Sequence, residues 1–478
     1  MLTNYDVSTN PVVEVPITNS VNVLYHMMVY NLRSLTHTIP VSVQQFKLTA
    51  TNIVMEDNAN VVLEFLLKGQ SFTLNGQMNL SGGVLNWYSS SAPDLRYFTN
   101  NGSLTIPNEA HFGDDAVQNY LGFVNRGFIT SYGQNINSVY TELAGPNTVT
   151  SAFNLIGTDA KVDNGNITAA GDILLTTATM KFNRALIQSD NRIVLNIANA
   201  LLDNGPTSSN TLVCGDGLML SAKPATGDLL GTTVRTIAPN FGLVSHYWAG
   251  ADRGATTAGF SNNVALGRLV LSPNGFGTAF EFIGTGAANG LYVDLLDLSQ
   301  LSDITEQLLV DPNLTIYYAA AKLSFTPSGG ISPEQYLENQ FGGRLRWVSQ
   351  YAGANSSVDV VINGNQTIKV NRALRDSTVI DSDSDGVPNY YDASPFDGVR
   401  ITSSTRSNNP AGFVLTWNAA PNTVYRVDYR TTLSSSLWTT LLMTTNTASV
   451  MVPWSVIDTN AVAGQQRYYR VSYNPNGP

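Results

Sequence analysis

A single cysteine, Cys214, in a chain of 478 residues excludes an intramolecular disulfide, so rigidity has to come from stacked secondary structure or from bound metal. Cys214 itself reads as a small buried hydrophobe. Charge is scarce as well: Asp, Glu, Lys and Arg make up 13% of the chain, about half the share usual for a soluble globular protein. That leaves too few charged side chains to cover the exposed faces of many helices. The basic residues are scattered singly, and the formal net charge is −10, so neither nucleic acid nor an anionic membrane surface is an expected partner. No apolar run approaches the ~18 residues of a membrane span, so no transmembrane segment is expected. A basic stretch leading into an apolar one is missing from residues 1–6, so no signal peptide is visible. Because the rest of the chain has extracellular character, it is expected to be a fragment of a longer exported protein.

What the chain does have is Asn, Gly, Thr and Ser between short runs of alternating apolar and polar residues, the composition of short strands and tight turns. Phe72-Thr73-Leu74-Asn75-Gly76-Gln77-Met78-Asn79-Leu80-Ser81-Gly82-Gly83 is typical of the stretch from Val12 to Ala321. A weak repeat runs through it. Thr99-Asn100-Asn101-Gly102-Ser103-Leu104-Thr105 aligns with Val124-Asn125-Arg126-Gly127-Phe128-Ile129-Thr130 and with Val162-Asp163-Asn164-Gly165-Asn166-Ile167-Thr168. The glycines are 25 and then 38 residues apart, and Asp203-Asn204-Gly205 comes 40 residues on. One or two solenoid coils of ~20 residues fit each interval, with Asn or Gly turning the corners and Leu, Ile and Val stacking inward. A β-sandwich array with hairpins at the Asn-Gly turns satisfies the same pattern; the parallel β-helix accounts for the repeat and is the fold expected. The more continuously apolar runs Gly290–Leu298 and Leu314–Ala321 are expected to close its end.

Helix signals are confined to one place. Ser332 suits an N-cap, Pro333 the first helical position and Gln335 a capping box, with Gly342-Gly343 ending the segment.

The sharpest motif is Asp381-Ser382-Asp383-Ser384-Asp385-Gly386-Val387-Pro388-Asn389-Tyr390-Tyr391-Asp392. Oxygen donors fall at positions one, three, five, nine and twelve of this loop. Alternate aspartates on a tight loop can converge on one hard cation such as Ca²⁺, with Gly386 permitting the turn, the Val387 carbonyl supplying a ligand and Asp392 closing the site. Four carboxylates this close would repel one another without a cation. A solvated acidic linker is the plainer alternative. The flanking residues do not make the helices of an EF-hand; the loop resembles a single thrombospondin type-three or dockerin-like calcium repeat, without the cysteine of the thrombospondin form. The ion is expected to fix the angle between the solenoid and the C-terminal residues.

Beyond Val399, the runs Phe413–Trp417, Tyr425–Tyr429, Trp438–Met443, Ala448–Val452 and Arg467–Tyr473 are spaced as the strands of a small sandwich. Trp417, Tyr425, Trp438 and Tyr469 are its expected aromatic core, with a sugar-binding platform as the other use of such residues. Leu415-Thr416-Trp417-Asn418, Tyr425-Arg426-Val427-Asp428-Tyr429, Leu437-Trp438 and Gln466-Arg467-Tyr468-Tyr469-Arg470-Val471 resemble the immunoglobulin- or fibronectin-like module that ends many large secreted proteins of Verrucomicrobia and Planctomycetes. This resemblance implies an extracellular or cell-surface location and carries no assigned activity. The organisation expected is all-β: residues 1–325 a solenoid, 326–380 a capping and connecting region with a short helix, 381–398 the calcium loop, and 399–478 the immunoglobulin/fibronectin-like sandwich.

Catalytic patterns are weak. His111 with Asp114 and Asp115 reads as a solvated turn, and Ser245-His246 lacks a nucleophile-elbow glycine pattern. Gly284-Thr285-Gly286-Ala287-Ala288-Asn289-Gly290 fails the dinucleotide fingerprint because a strand comes after it where a helix is required. The four histidines, His26, His37, His111 and His246, have no metal-ligand spacing. The expectation is therefore a non-catalytic extracellular structural or adhesive protein, a stalk, fibre or matrix component. Its partners would be further copies of itself, other surface proteins or glycans. The alternative is a carbohydrate-active β-helix enzyme, a lyase or glycosidase, or a glycan-binding module.

Overall fold

The computed structural model describes residues 23–36, 43–55, 59–75, 77–80, 84–88, 96–113, 121–239, 241–275, 277–362, 366–383, 388–392, 395–396, 399, 401–408, 410–419, 423–432, 437–448, 452–461 and 466–473. The chain divides into two compact units, one of residues 1–325 with 337–348, the other of residues 326–336 with 349–478.

The first unit is a parallel β-helix. Its 25 strands join in one sheet, and strands of successive coils pair in parallel from Val23–Thr36 to Leu345–Trp347. Pairing in parallel at fixed register puts like on like. One inward column runs Leu104, Ile129, Asn147, Ile167, Ile187, Leu212, Val234, Leu269, Leu296, Ala321 through ten successive coils. Each buried Ile or Leu in it contributes roughly 1.5–3 kcal/mol of transfer free energy. The polar member, Asn147, is tied down inside: its Oδ1 accepts from Gln134 Nε2 at 3.3 Å and its Nδ2 donates to the Gly145 carbonyl at 3.1 Å. A second column, Ser131, Val149, Ala169, Ser189, Cys214, Thr236, is built of small residues. Cys214 is fully buried there, and burial pushes its thiol up to about 12.

The repeat read in the sequence is the coil repeat. Leu104 pairs with Ile129 one coil on, and Ile129 reaches Ile167 through Asn147 in two coils. Buried Asn100 donates from Nδ2 to Asn125 Oδ1 at 2.8 Å, so the repeat's asparagine forms a ladder between coils. Its glycines serve close approach: a Cβ on Gly127 would lie 1.9 Å from the Gly102 carbonyl oxygen, and one on Gly145 would lie 2.1 Å from that of Gly127. The left-handed corner residue is instead Asn164, at φ 56°, or Arg184, at φ 48°. Gly127→Ala is therefore expected to force two coils apart and lower stability by about 1–3 kcal/mol. A urea titration of the variant should show a lower midpoint, and an unchanged midpoint would contradict this packing.

Coils of 20 residues between Ile167 and Ile187 widen to 35 between Val234 and Leu269. The added segment 249–265 folds back on the strands. Arg253 grips it through the Ala258 and Ser261 carbonyls at 2.9 and 2.7 Å. The Tyr292 hydroxyl accepts from Arg253 N and donates to the Gly254 carbonyl, each at 2.8 Å. This cover explains why strand Asn289–Leu298 is buried on both faces and reads as continuously apolar.

In the second unit Ser332 and Gln335 form the expected capping box: Ser332 N donates to Gln335 Oε1 at 2.9 Å, and Gln335 N donates to Ser332 Oγ at 3.3 Å. Ser357–Ile362 and Gln366–Asn371 then form an antiparallel hairpin. The C-terminal module is two antiparallel three-stranded sheets. One holds Ile401–Asn408, Ala411–Ala419 and Val452–Asp458; the other holds Thr423–Arg430, Thr439–Asn446 and Tyr468–Tyr473. Leu415, Trp417, Ala419, Tyr425, Val427 and Val471 fill the space between them, with Tyr469 packed against their edge. Trp438 departs from the expected core. It precedes its strand and stacks with Arg430 and Arg470, whose guanidinium carbons lie 4.4 and 4.6 Å from its ring centroid. Lying outside the strands, it takes no place in the alternation that buries Tyr425 and Val427 and turns Arg426 and Asp428, one position away, to the polar ladder on the opposite face.

Candidate functional site

The acidic loop is held shut at its base. Asn371 Oδ1 caps the short helix Arg372–Arg375, accepting from Ala373 N at 2.8 Å and Leu374 N at 3.3 Å. The chain then turns on Ser377, whose Oγ accepts from Ile380 N at 3.0 Å and whose carbonyl accepts from Tyr390 N at 2.9 Å. Asn389 is the latch. Fully buried, it donates from Nδ2 to the Leu374 carbonyl at 2.7 Å and to Ser382 Oγ at 2.8 Å, and its Oδ1 accepts from Ser382 N at 2.9 Å. Its backbone N–H reaches the Ile380 carbonyl at 2.8 Å, and its carbonyl accepts from Arg375 Nη1 at 2.9 Å.

This clasp brings the entry of the loop, Ile380 to Ser382, against its exit at Asn389. Asp381, Asp383 and Asp392 sit half-buried on the closed loop, and Asp392 Oδ2 is enclosed by protein. Asp385 and Val387 lie outside the described residues. Among the described residues no group of three or more His, Cys, Asp or Glu side chains gathers around one point. The donor chemistry fits a hard divalent cation: every candidate ligand is an oxygen, and the bonds of Asn389 and Ser377 hold the two limbs of the loop together. Asn389, expected as the ninth-position ligand, already spends its side-chain oxygen on Ser382 N. The latch partners Asn371, Arg375 and Ser377 were not singled out by the motif, although Asn before Arg-Ala-Leu-Arg is a helix-start signal.

Several other ionisable groups among the described residues have structural partners. Ser245 and His246 are neighbours on one strand and so point to opposite faces. Ser245 Oγ donates to Glu281 Oε2 at 3.2 Å outside. His246 occupies an inward column between Leu218 and Phe282. His111 is half-buried on strand Ser103–Phe112, in register with Asn86 and Asn135; Asp114 and Asp115 lie outside the described residues. Glu142 gathers Tyr140, Lys161 and Arg126 at 2.9, 3.2 and 3.4 Å. Burial would raise the Glu142 carboxyl, but its bonds to Tyr140 and Lys161 outweigh this and hold it below its ordinary value. Burial and Glu142 together raise Tyr140, so this phenol keeps its proton and is poorly suited to act as a base. In the sandwich, buried Asp428 accepts from Arg426 Nε at 3.1 Å and Arg470 Nε at 3.0 Å.

The chain matches no family model, no curated protein and no solved structure. No helix among the described residues is long and apolar enough to cross a membrane.

Proposed function

We propose that the chain is part of an extracellular structural or adhesive protein of a bacterial surface, in which the β-helix serves as a stiff stalk and a calcium ion locks the loop that leads into the terminal sandwich. The observation that carries this reading is the unbroken parallel ladder from Val23–Thr36 to Leu345–Trp347. Every interior coil is fixed by backbone hydrogen bonds and stacked side chains on both sides, the construction of a rod that resists bending. The likeness of residues 415–471 to modules that end large secreted bacterial proteins supports the location. Bound to the acidic loop, calcium would supply charge compensation for Asp381, Asp383, Asp385 and Asp392, with the Val387 carbonyl as a further donor. Asn389 holds the two limbs of the loop together at Ser382 and Leu374, so that the carboxylates start from a closed base.

Negative-stain electron microscopy of the purified chain, with fractionation of the producing cells, tests this reading. Straight rods recovered with the cell envelope or medium are expected. Compact particles confined to the cytosol would overturn it.

A further inference from the structure

One face of the β-helix combines two features that a rod does not require. Thr105, Thr130, Thr148 and Thr168 pair in register on successive coils. They alternate with the inward residues Leu104, Ile129, Asn147 and Ile167, so their hydroxyls form an outward ladder. Strands in a sheet lie ~4.8 Å apart, which spaces the hydroxyls by about the length of one sugar ring. Phe128 and Tyr132 flank Thr130 on the same face and are 61% and 51% exposed. Aromatic rings left this open on a strand cost solubility and add nothing to the core, which is complete beneath them. Four residues apart, they stand ~13 Å from one another along the strand.

We propose that this face binds a neutral polysaccharide, with pyranose rings packing their C–H faces on Phe128 and Tyr132 and their hydroxyls bonding the threonine ladder. Charge selects the ligand. The outward positions in register with the ladder carry Ser103, Pro146 and Asn166 beside the six residues named, none of them ionisable; the ionisable side chains at its margin, Arg126, which pairs with Glu142 at 3.4 Å, and Glu109, which lies against Gly133, are of opposite sign, so the face offers no unpaired cation to a uronate or a sulfated chain. Threonine hydroxyls donate and accept equally, which suits a polyol. β-Branched threonine also has few rotamers to lose on binding, so the ladder is preorganised. The proposal names the ligand class for the adhesive reading and rests on it for location only. A chain that binds glycan but is not found at the cell surface would refute the location and leave the face standing.

The test is co-sedimentation of the full chain with insoluble cellulose, chitin and β-1,3-glucan, and affinity electrophoresis in soluble neutral glucans, with polygalacturonate and alginate as acidic comparators. Wild type is expected to bind at least one neutral polymer. The double variant Phe128→Ala with Tyr132→Ala should bind it at least tenfold more weakly, and Thr130→Val several-fold more weakly. Both substitutions lie at exposed positions, and unchanged thermal melting would confirm that the coils are intact. The proposal fails if no neutral polymer binds, if the double variant binds as wild type does, or if acidic polymers bind better. It also fails if Phe128→Ala instead dissolves a concentration-dependent dimer, since the face would then belong to a second copy.

Discussion

Acidification from pH 6.5 to 3 is expected to remove about 5 kcal/mol of the β-helix's stability through one side chain, His246. The imidazole is fully buried, and burial, with a smaller contribution from the charge of Arg192, lowers its pKa from 6.5 to about 3. Geometry gives the same sign. Leu218 N–H donates to His246 Nδ1 at 3.1 Å, so Nδ1 carries no proton and Nε2–H must face Thr236 Oγ1 at 3.1 Å. Protonation would set a second N–H against that of Leu218, with the charge stacked on Phe282. Between the two pKa values the unfolded chain holds a proton that the folded chain does not. Stability therefore rises with pH by about 1.4 kcal/mol per unit across that window and is level above it. Two carboxyls of the β-helix act with the opposite sign: burial raises Asp203 and Asp228, so just above their unfolded pKa the folded chain holds the proton and stability falls as pH rises. Asp297, whose burial is outweighed by its bonds to Ser299 and Arg268, is held below its ordinary value and loses its contribution only as pH falls through that lowered pKa. The difference in slope between wild type and a variant without His246 therefore isolates the histidine. Urea titrations of wild type and His246→Leu between pH 6.5 and 4.5 should diverge, the variant lacking the histidine's rise of stability with pH and less stable at neutral pH by about 1–3 kcal/mol for the stranded Leu218 N–H. Parallel profiles would show that His246 does not carry the acid sensitivity.

Calcium is expected to produce the second large effect, on the unit that holds the acidic loop. A ligand present at a thousand times its dissociation constant stabilises the state that binds it by about 4 kcal/mol. Chelation should accordingly lower one thermal transition and open the loop near Asp381 to proteases, while the β-helix transition stays put. Substitutions separate the ion from the latch. Asp385→Asn weakens the charge set and should cost calcium affinity with little change in the chelated protein. Asn389→Ala removes the bonds to Ser382 and Leu374 and should destabilise the chelated protein too, by about 1–3 kcal/mol. Calcium titration by calorimetry, with melting of each variant in chelator, distinguishes the two. Melting and cleavage patterns indifferent to chelator would leave the acidic loop a solvated linker.

The sandwich core shows how far aromatic content alone can lead. Trp417 and Tyr425 fall on the inward phase of their strands and are both fully buried, as period-two alternation requires. Trp438 lies outside any strand, so alternation says nothing about it, and only the arrangement of Arg430 and Arg470 reveals that it stacks on an outer face. The repeat glycines are a similar case. Their recurrence marks the coil length, whereas the reason for Gly127, a carbonyl of the previous coil 1.9 Å from where a Cβ would stand, exists only once the coils are stacked.

By itself the sequence determined what is periodic and local. The alternation that makes strands, the recurring Asn and Gly that mark the coil length, the capping box at Ser332 and the oxygen donors spaced along residues 381–392 all depend on neighbours within a few positions or on a repeating interval. Tertiary structure decided what depends on register between distant segments. Thr105 to Thr168 became a ladder, His246 entered an apolar column with its lone pair against Leu218, and Asn389 became the latch of its loop, because parallel stacking and loop closure bring together atoms that no local pattern relates.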